Sequence, residues 1–103
     1  MEHFLIKYRL QNGSADAWHR DVGGFIAALD ADPTLRGKIT YRCMKSRDGT
    51  HYFHLATAAD DQAVKALQPS PFFARYTEKT KQAAGGAVDV LPLEIIAETK
   101  GGV

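Results

Sequence analysis

The strongest constraint on this chain is the order in which its hydrophobic period switches between two and about 3.6 residues. Residues 3–11 alternate, with Phe4, Ile6, Tyr8 and Leu10 on one side and Leu5, Lys7 and Arg9 on the other, which is the period of a strand. Asn12-Gly13 breaks the pattern and Ser14 offers a helix cap. From Ala15 to Leu29, residues Trp18, Val22, Phe25, Ile26 and Leu29 recur as one helical stripe, which Asp32-Pro33 ends. Gly23-Gly24 lies inside that helix and either admits a close neighbour or is simply tolerated. Residues 38–45 and 50–57 read as two further strands. Asp60 opens a short helix with Val64 and Leu67 on its buried side; Pro69 interrupts it and Ser70-Pro71 restarts it. Phe72, Phe73, Tyr76 and Thr80 follow before Gly85-Gly86 stops the segment. The stretch "VDVLPLEIIAET" is a last strand, and Pro92 assigns it to a sheet edge because proline cannot donate to the ladder.

The resulting order, β-α-β-β-α-β, predicts an α+β, ferredoxin-like fold: a four-stranded antiparallel sheet with the helices on one face. A length of 103 residues predicts one domain, 1–103, with a core from about 3 to 99. A formal charge of +1 gives no electrostatic reason to expect nucleic acid or an anionic membrane as partner. No apolar run reaches the ~20 residues of a membrane span, and "MEHFLIKYRL" lacks the basic start of a secretion signal. The single cysteine, Cys43, fits a reducing, cytoplasmic location. The Gly-Gly-Val end is expected to fray.

The hairpin sequence "KSRDGTHYFHLA" holds His51 and His54. A three-residue loop, with Gly49 left-handed, pairs Ser46 with Thr50 and sets Cys43 opposite Phe53. One face then collects Phe4, Ile6, Tyr8, Leu10, Ile39, Tyr41, Cys43, Phe53, Leu55, Leu91, Leu93 and Ile95, and is expected under the helices. The other carries Lys7, Arg9, Arg42, Met44, Tyr52, His54, Glu94, Ile96 and Glu98. Glu94 and Glu98 would meet Lys7 and Arg9 across strands. Either solvent or a second copy of the chain covers this face. His51 and His54 point to opposite faces in any strand, so they are not a metal pair, and no metal-binding spacing occurs elsewhere.

The chain from about 3 to 99 resembles the antibiotic biosynthesis monooxygenase-like family of dimeric α+β barrels. The resemblance rests on "FLIKYRLQNG", the aromatic-striped helix, the hairpin, and above all "ADDQAVKALQPSPFFARY", with Asp60 as cap and Ser70-Pro71-Phe72-Phe73 after the break. It implies a homodimer through the sheet face and a cavity between sheet and helices. It also implies a monooxygenase-like activity, an oxidoreductase needing no cofactor, on a small aromatic or quinone/quinol-like metabolite. A non-catalytic ligand-binding or interaction module of the same fold is the alternative. The haem-degrading branch has an asparagine, a tryptophan and a histidine where this chain has Tyr8, Leu67 and Thr77, so haem degradation is not expected. Within such a cavity Trp18, Tyr41, Phe72 and Tyr76 are the candidate ligand-binding residues, against their reading as plain core. Tyr8, His51 and Arg75 are the candidate catalytic residues: His51 as a proton acceptor at the rim or a solvated strand-end histidine, Arg75 as an anion-binding or a surface group.

Overall fold

The computed structural model describes residues 1–101; the fraying expected at Gly102-Val103 lies outside the described residues. The elements are β1 (Glu2–Arg9), α1 (Ala15–Ala31), β2 (Ile39–Lys45), β3 (His51–Ala58), α2 (Asp61–Leu67), α3 (Pro71–Ala83) and β4 (Val88–Leu93). The strands form one antiparallel sheet in the order β2-β3-β1-β4. This is the ferredoxin-like α+β arrangement, and β4 with Pro92 is at an edge.

Local chemistry sets the element ends. The Ser14 hydroxyl accepts from the Ala17 amide at 3.1 Å and starts α1. Asp60 does the same for α2 through the Ala63 amide at 2.8 Å. Ser70 precedes Pro71 at the first turn of α3, but its hydroxyl donates back to the Leu67 carbonyl instead of capping. Gly85 and Gly86 take φ of 66° and 90° after α3, where a side chain would be strained. Gly23 and Gly24 have nothing within 4 Å of an added Cβ, so they are tolerated and no neighbour approaches them.

The hairpin differs from expectation by one residue, and the consequence is large. Ser46 pairs with His51, not Thr50: the Ser46 amide donates to the His51 carbonyl at 2.8 Å. The turn over Ser46–Gly49 forms as expected, with Gly49 at φ 80°. Thr50 is drawn into the loop by Asp48, whose carboxylate accepts from the Ser46 hydroxyl, the Thr50 amide and the Thr50 hydroxyl. These bonds, that from Ser46 foremost, hold the Asp48 carboxyl down at about 2. With a loop of 47–50, Cys43 stands opposite His54 and Lys45 opposite Tyr52.

Because strand side chains alternate, one residue of slip exchanges the two faces of β3. Tyr52, His54, Ala56 and Ala58 face the helices, and Phe53 and Leu55 face away, the reverse of the expected assignment. His54 is fully buried, at 0% exposure, rather than on the open face. The last strand is corrected in the same way. Val90 pairs with Ile6 and Leu91 with Leu5, so Val88 and Val90 share the helix side while Leu91 and Leu93 lie on the far face and are exposed. The strand ends at Leu93, so Asp89, not Glu94 or Glu98, stands opposite Lys7. The core includes Trp18, Val22, Phe25 and Leu29 from α1, with Tyr76 and Ala83 from α3, over Tyr8, Ile39, Tyr52 and Ala58 of the sheet.

Candidate functional site

Five elements deliver five polar aromatic side chains to one point beneath the helices. Tyr8 comes from β1, Tyr41 from β2, His54 from β3, Trp18 from the first turns of α1 and Tyr76 from α3. The strand residues meet because Tyr8, Tyr41 and His54 have the same parity once the register is fixed. Trp18 and Tyr76 meet them because each lies on its helix's inward stripe.

Their hydrogen bonds are continuous. The Trp18 indole N–H donates to the Tyr8 hydroxyl at 2.7 Å. The Tyr8 hydroxyl lies 2.6 Å from His54 Nε2. On the other side of the ring, His54 Nδ1 lies 2.5 Å from the Tyr41 hydroxyl and 3.0 Å from that of Tyr76, and those two hydroxyls are 3.0 Å apart. Aromatic packing fixes the rings: Tyr76 stacks on Phe25 with centroids 3.8 Å apart, and Tyr8 stacks on Tyr52 at 5.4 Å. Tyr52 in turn reaches His19 on α1, hydroxyl to Nε2 at 2.8 Å.

Burial makes every member of this group reluctant to ionise. The imidazole of His54 falls from 6.5 to about 4 because burial penalises its cation. Burial likewise pushes the hydroxyls of Tyr8, Tyr41 and Tyr76 above the ordinary phenol range. Cys43, opposite His54, is pushed up to about 11 by burial, which removes it as a thiolate nucleophile at neutral pH. At pH 7 the cluster is a neutral hydrogen-bonded unit.

Tyr41 and Tyr76 also form part of the wall of a cavity of about 330 Å³ between the sheet and the helices. That is the size of a small-molecule site. Its floor is Phe4, Ile6, Ile39, Ala56 and Ala58, where the short alanines leave room, and Val64, Leu67 and Phe73 cover it from the helices. Val90 and Lys81 line it on the exposed side. Tyr8, His54 and Trp18 are not part of the lining; they stand behind Tyr41 and Tyr76.

Of the candidate residues, Tyr41 and Tyr76 reach the cavity, while Tyr8 and Trp18 join the cluster that backs them. Phe72 packs on Phe25 instead, and Phe73 lines the cavity. His51 is exposed, pairs with Arg9 on the far face and does not reach the cavity. Arg75 is exposed on α3 and does not line it either. His54 was missed as a site residue because the expected register turned it outward. The signal that could have found it is the need of two buried phenols, Tyr8 and Tyr41, for a polar partner on their own face. Among the described residues no three His, Cys, Asp or Glu side chains cluster as a metal site would need. No described helix is long and apolar enough to cross a membrane.

No protein-family model matches the chain. No curated protein matches it either. Solved structures do. SnoaB of Streptomyces nogalater, a cofactor-independent oxygenase solved as a single-site variant, is similar with TM-score 0.78 and 12% identity over 97% of each chain. Rv0793 of Mycobacterium tuberculosis gives TM-score 0.76 and 15% identity over 96% of this chain and 98% of that one. An antibiotic biosynthesis monooxygenase gives TM-score 0.75 and 10% identity over 94% and 100%. At such identities the likeness is one of fold: along nearly its whole length this chain shares the architecture of antibiotic biosynthesis monooxygenase structures.

Proposed function

We propose that this protein binds a small, flat aromatic or quinone/quinol-like metabolite in the cavity between sheet and helices, and oxidises it with O2 as a cofactor-independent monooxygenase. The observation that carries the reading is a largely apolar cavity with, in its wall, a pair of phenols pinned by a buried neutral imidazole. Apolar walls that include Phe4, Phe73 and the rings of Tyr41 and Tyr76 favour an aromatic ligand. A substrate whose own enolate can reduce O2 needs no bound redox group. Its conversion from ring methylene to carbonyl consumes one O2 and releases one water.

One observation favours the alternative, a non-catalytic ligand-binding module. His54 is a weak base where it lies, and neither His51 nor Arg75 reaches the cavity. Oxygen uptake separates the two readings. With a panel of hydroquinones, phenols and aryl ketones, an enzyme consumes O2, and Tyr76→Phe lowers its turnover. A binding module shows thermal shifts and no uptake. Neither response to any member removes both readings.

The same proposal includes a homodimer through the far face of the sheet. Leu91, Leu93 and Met44 are exposed there, beside half-buried Leu5, Phe53 and Leu55. Light scattering after gel filtration tests it, and Leu91→Lys is expected to weaken it. The location proposed is the cytoplasm, on the strength of the single unpaired Cys43.

A further inference from the structure

We propose that the four tyrosines and the one tryptophan of this chain form a one-electron relay, which carries an oxidising equivalent from the cavity to the surface at Tyr52 and His19. The oxidant it answers is an oxygen-centred organic radical in the cavity. The relay goes beyond the oxygenase reading and does not depend on which molecule the cavity binds.

Every tyrosine and tryptophan in the sequence belongs to one group. Tyr41 and Tyr76 stand in the cavity wall with ring centroids 6.0 Å apart. Tyr76 stacks on Trp18 at 6.0 Å, Trp18 meets Tyr8 edge-on at 6.2 Å, and Tyr8 stacks on Tyr52 at 5.4 Å. The Tyr52 hydroxyl ends the series 2.8 Å from Nε2 of His19, which is exposed on α1. Rings at these separations exchange electrons readily. Packing alone does not explain the grouping, because the phenylalanines are not confined to it: Phe53 is on the far face and Phe4 on the cavity floor. Mutual hydrogen bonding accounts for Tyr8, Tyr41 and Tyr76. It does not account for Tyr52, which joins the group by its ring alone and has an imidazole of its own.

A phenol that loses an electron becomes a strong acid, so it is oxidised easily only beside a base. Tyr8 and Tyr52 each have an imidazole nitrogen in reach, at 2.6 and 2.8 Å. The Trp18 N–H donates to the Tyr8 oxygen, which leaves the Tyr8 hydrogen for His54 Nε2. The imidazole's own hydrogen is then on Nδ1, toward Tyr41 and Tyr76. The steps balance as follows. The radical XO• takes a hydrogen atom from a wall hydroxyl and becomes XOH. The wall phenoxyl regains an electron from Tyr8 and a proton from Nδ1, while the Tyr8 proton crosses to Nε2. The imidazole exchanges one hydrogen for another, so no cation forms in a core that disfavours it. Tyr52 then gives its electron to Tyr8 and its proton to His19, which passes it to solvent. Tyr8 recovers its proton from Nε2, and Nδ1 regains one through the wall hydroxyls from solvent at the cavity's exposed side. In total one electron moves from Tyr52 to the radical, one proton enters at the cavity and one leaves at His19. A soluble reductant such as ascorbate restores Tyr52 with one electron and one proton.

Lys81 lines the cavity and is exposed, so Lys81→Cys can carry a ruthenium photosensitiser at its mouth, with Cys43→Ser to remove the competing thiol. A laser flash with a cobalt quencher makes the oxidised ruthenium there, in protein without ligand. Transient absorption and electron paramagnetic resonance then follow the oxidising equivalent. A tyrosyl radical is expected on Tyr52, assigned by the change of its hyperfine pattern in Tyr52→Phe. His19→Gln keeps a hydrogen-bond partner for Tyr52 but accepts no proton, and should slow formation of that radical about a hundredfold. Tyr8→Phe should slow it as well, by breaking the series. A Tyr52 radical that forms as fast in either variant as in the parent, or no protein radical at all, overturns the proposal. His19→Gln changes only an exposed side chain, so its result stands even if Tyr8→Phe does not fold. Since no ligand is present, an overturned relay leaves the oxygenase reading intact, and absence of oxygen uptake leaves the relay intact.

Discussion

His51 and His54 are three residues apart on one strand and live in opposite conditions. His51 is exposed at the strand's first position, its ring near the Thr50 hydroxyl at 2.8 Å. His54 has no exposed surface and bonds to three phenols. The chain chemistry at the two positions is the same; the alternation of the strand and the length of the preceding loop decide which ring is interior. A strand with one polar ring inward and one outward cannot slip by a residue without burying the wrong one. The histidine pair therefore reports on the register of the whole hairpin.

Deleting one ring at a time separates the two environments most directly. His54→Leu leaves the Tyr8 hydroxyl without its acceptor and Tyr41 and Tyr76 without their common partner. It is expected to cost about 3 kcal/mol in urea unfolding.

A second test uses pH on the unaltered chain. The His54 imidazole sits at about 4 when folded against 6.5 in the ordinary state. Above 6.5 both states are neutral and the contribution is whole. Between 6.5 and 4 the unfolded chain takes up a proton that the folded one refuses, so stability falls as pH falls, by about 3 kcal/mol across the window. The groups facing the ring are Tyr8 from β1, Tyr41 and Cys43 from β2, and Tyr76 from α3; no carboxylate is among its partners to offset the loss. Unfolding midpoints at pH 7, 5.5 and 4 measure it.

Smaller effects sharpen the role of the loop. Gly49 sits at φ 80°, so Gly49→Ala is expected to cost about 1 kcal/mol while Tyr52 and His54 stay inside. His51→Ala removes an exposed ring and should change stability by less than about 0.5 kcal/mol. A large loss from His51→Ala would contradict the assignment of faces.

Much of the fold was legible because its signals are local. The stripe Trp18-Val22-Phe25-Leu29, the caps at Ser14 and Asp60, the Pro71 restart and the Pro92 edge each act within a few residues. The site was not legible because it depends on one loop residue. Thr50 looks like the start of a strand, and only the bonds that Asp48 takes from Ser46 and Thr50 place it in the turn. Sorting by apolarity then chose the wrong face of β3, since Phe53 and Leu55 resemble core more than Tyr52, His54 and Ala56 do. That rule fails where a protein buries a satisfied polar cluster, and such places are often where function is located. Leu91 and Leu93 misled in the same way, being apolar residues on an open face.

The whole site depends on His54 being buried and neutral beneath the helices. A proton NMR titration of the imidazole signals, with His54 assigned by its loss in His54→Gln, tests this. The His54 signals are expected to stay in the neutral position through the neutral range and to move only as pH approaches about 4. A His54 ring that titrates near 6.5, as a solvated imidazole does, would contradict it.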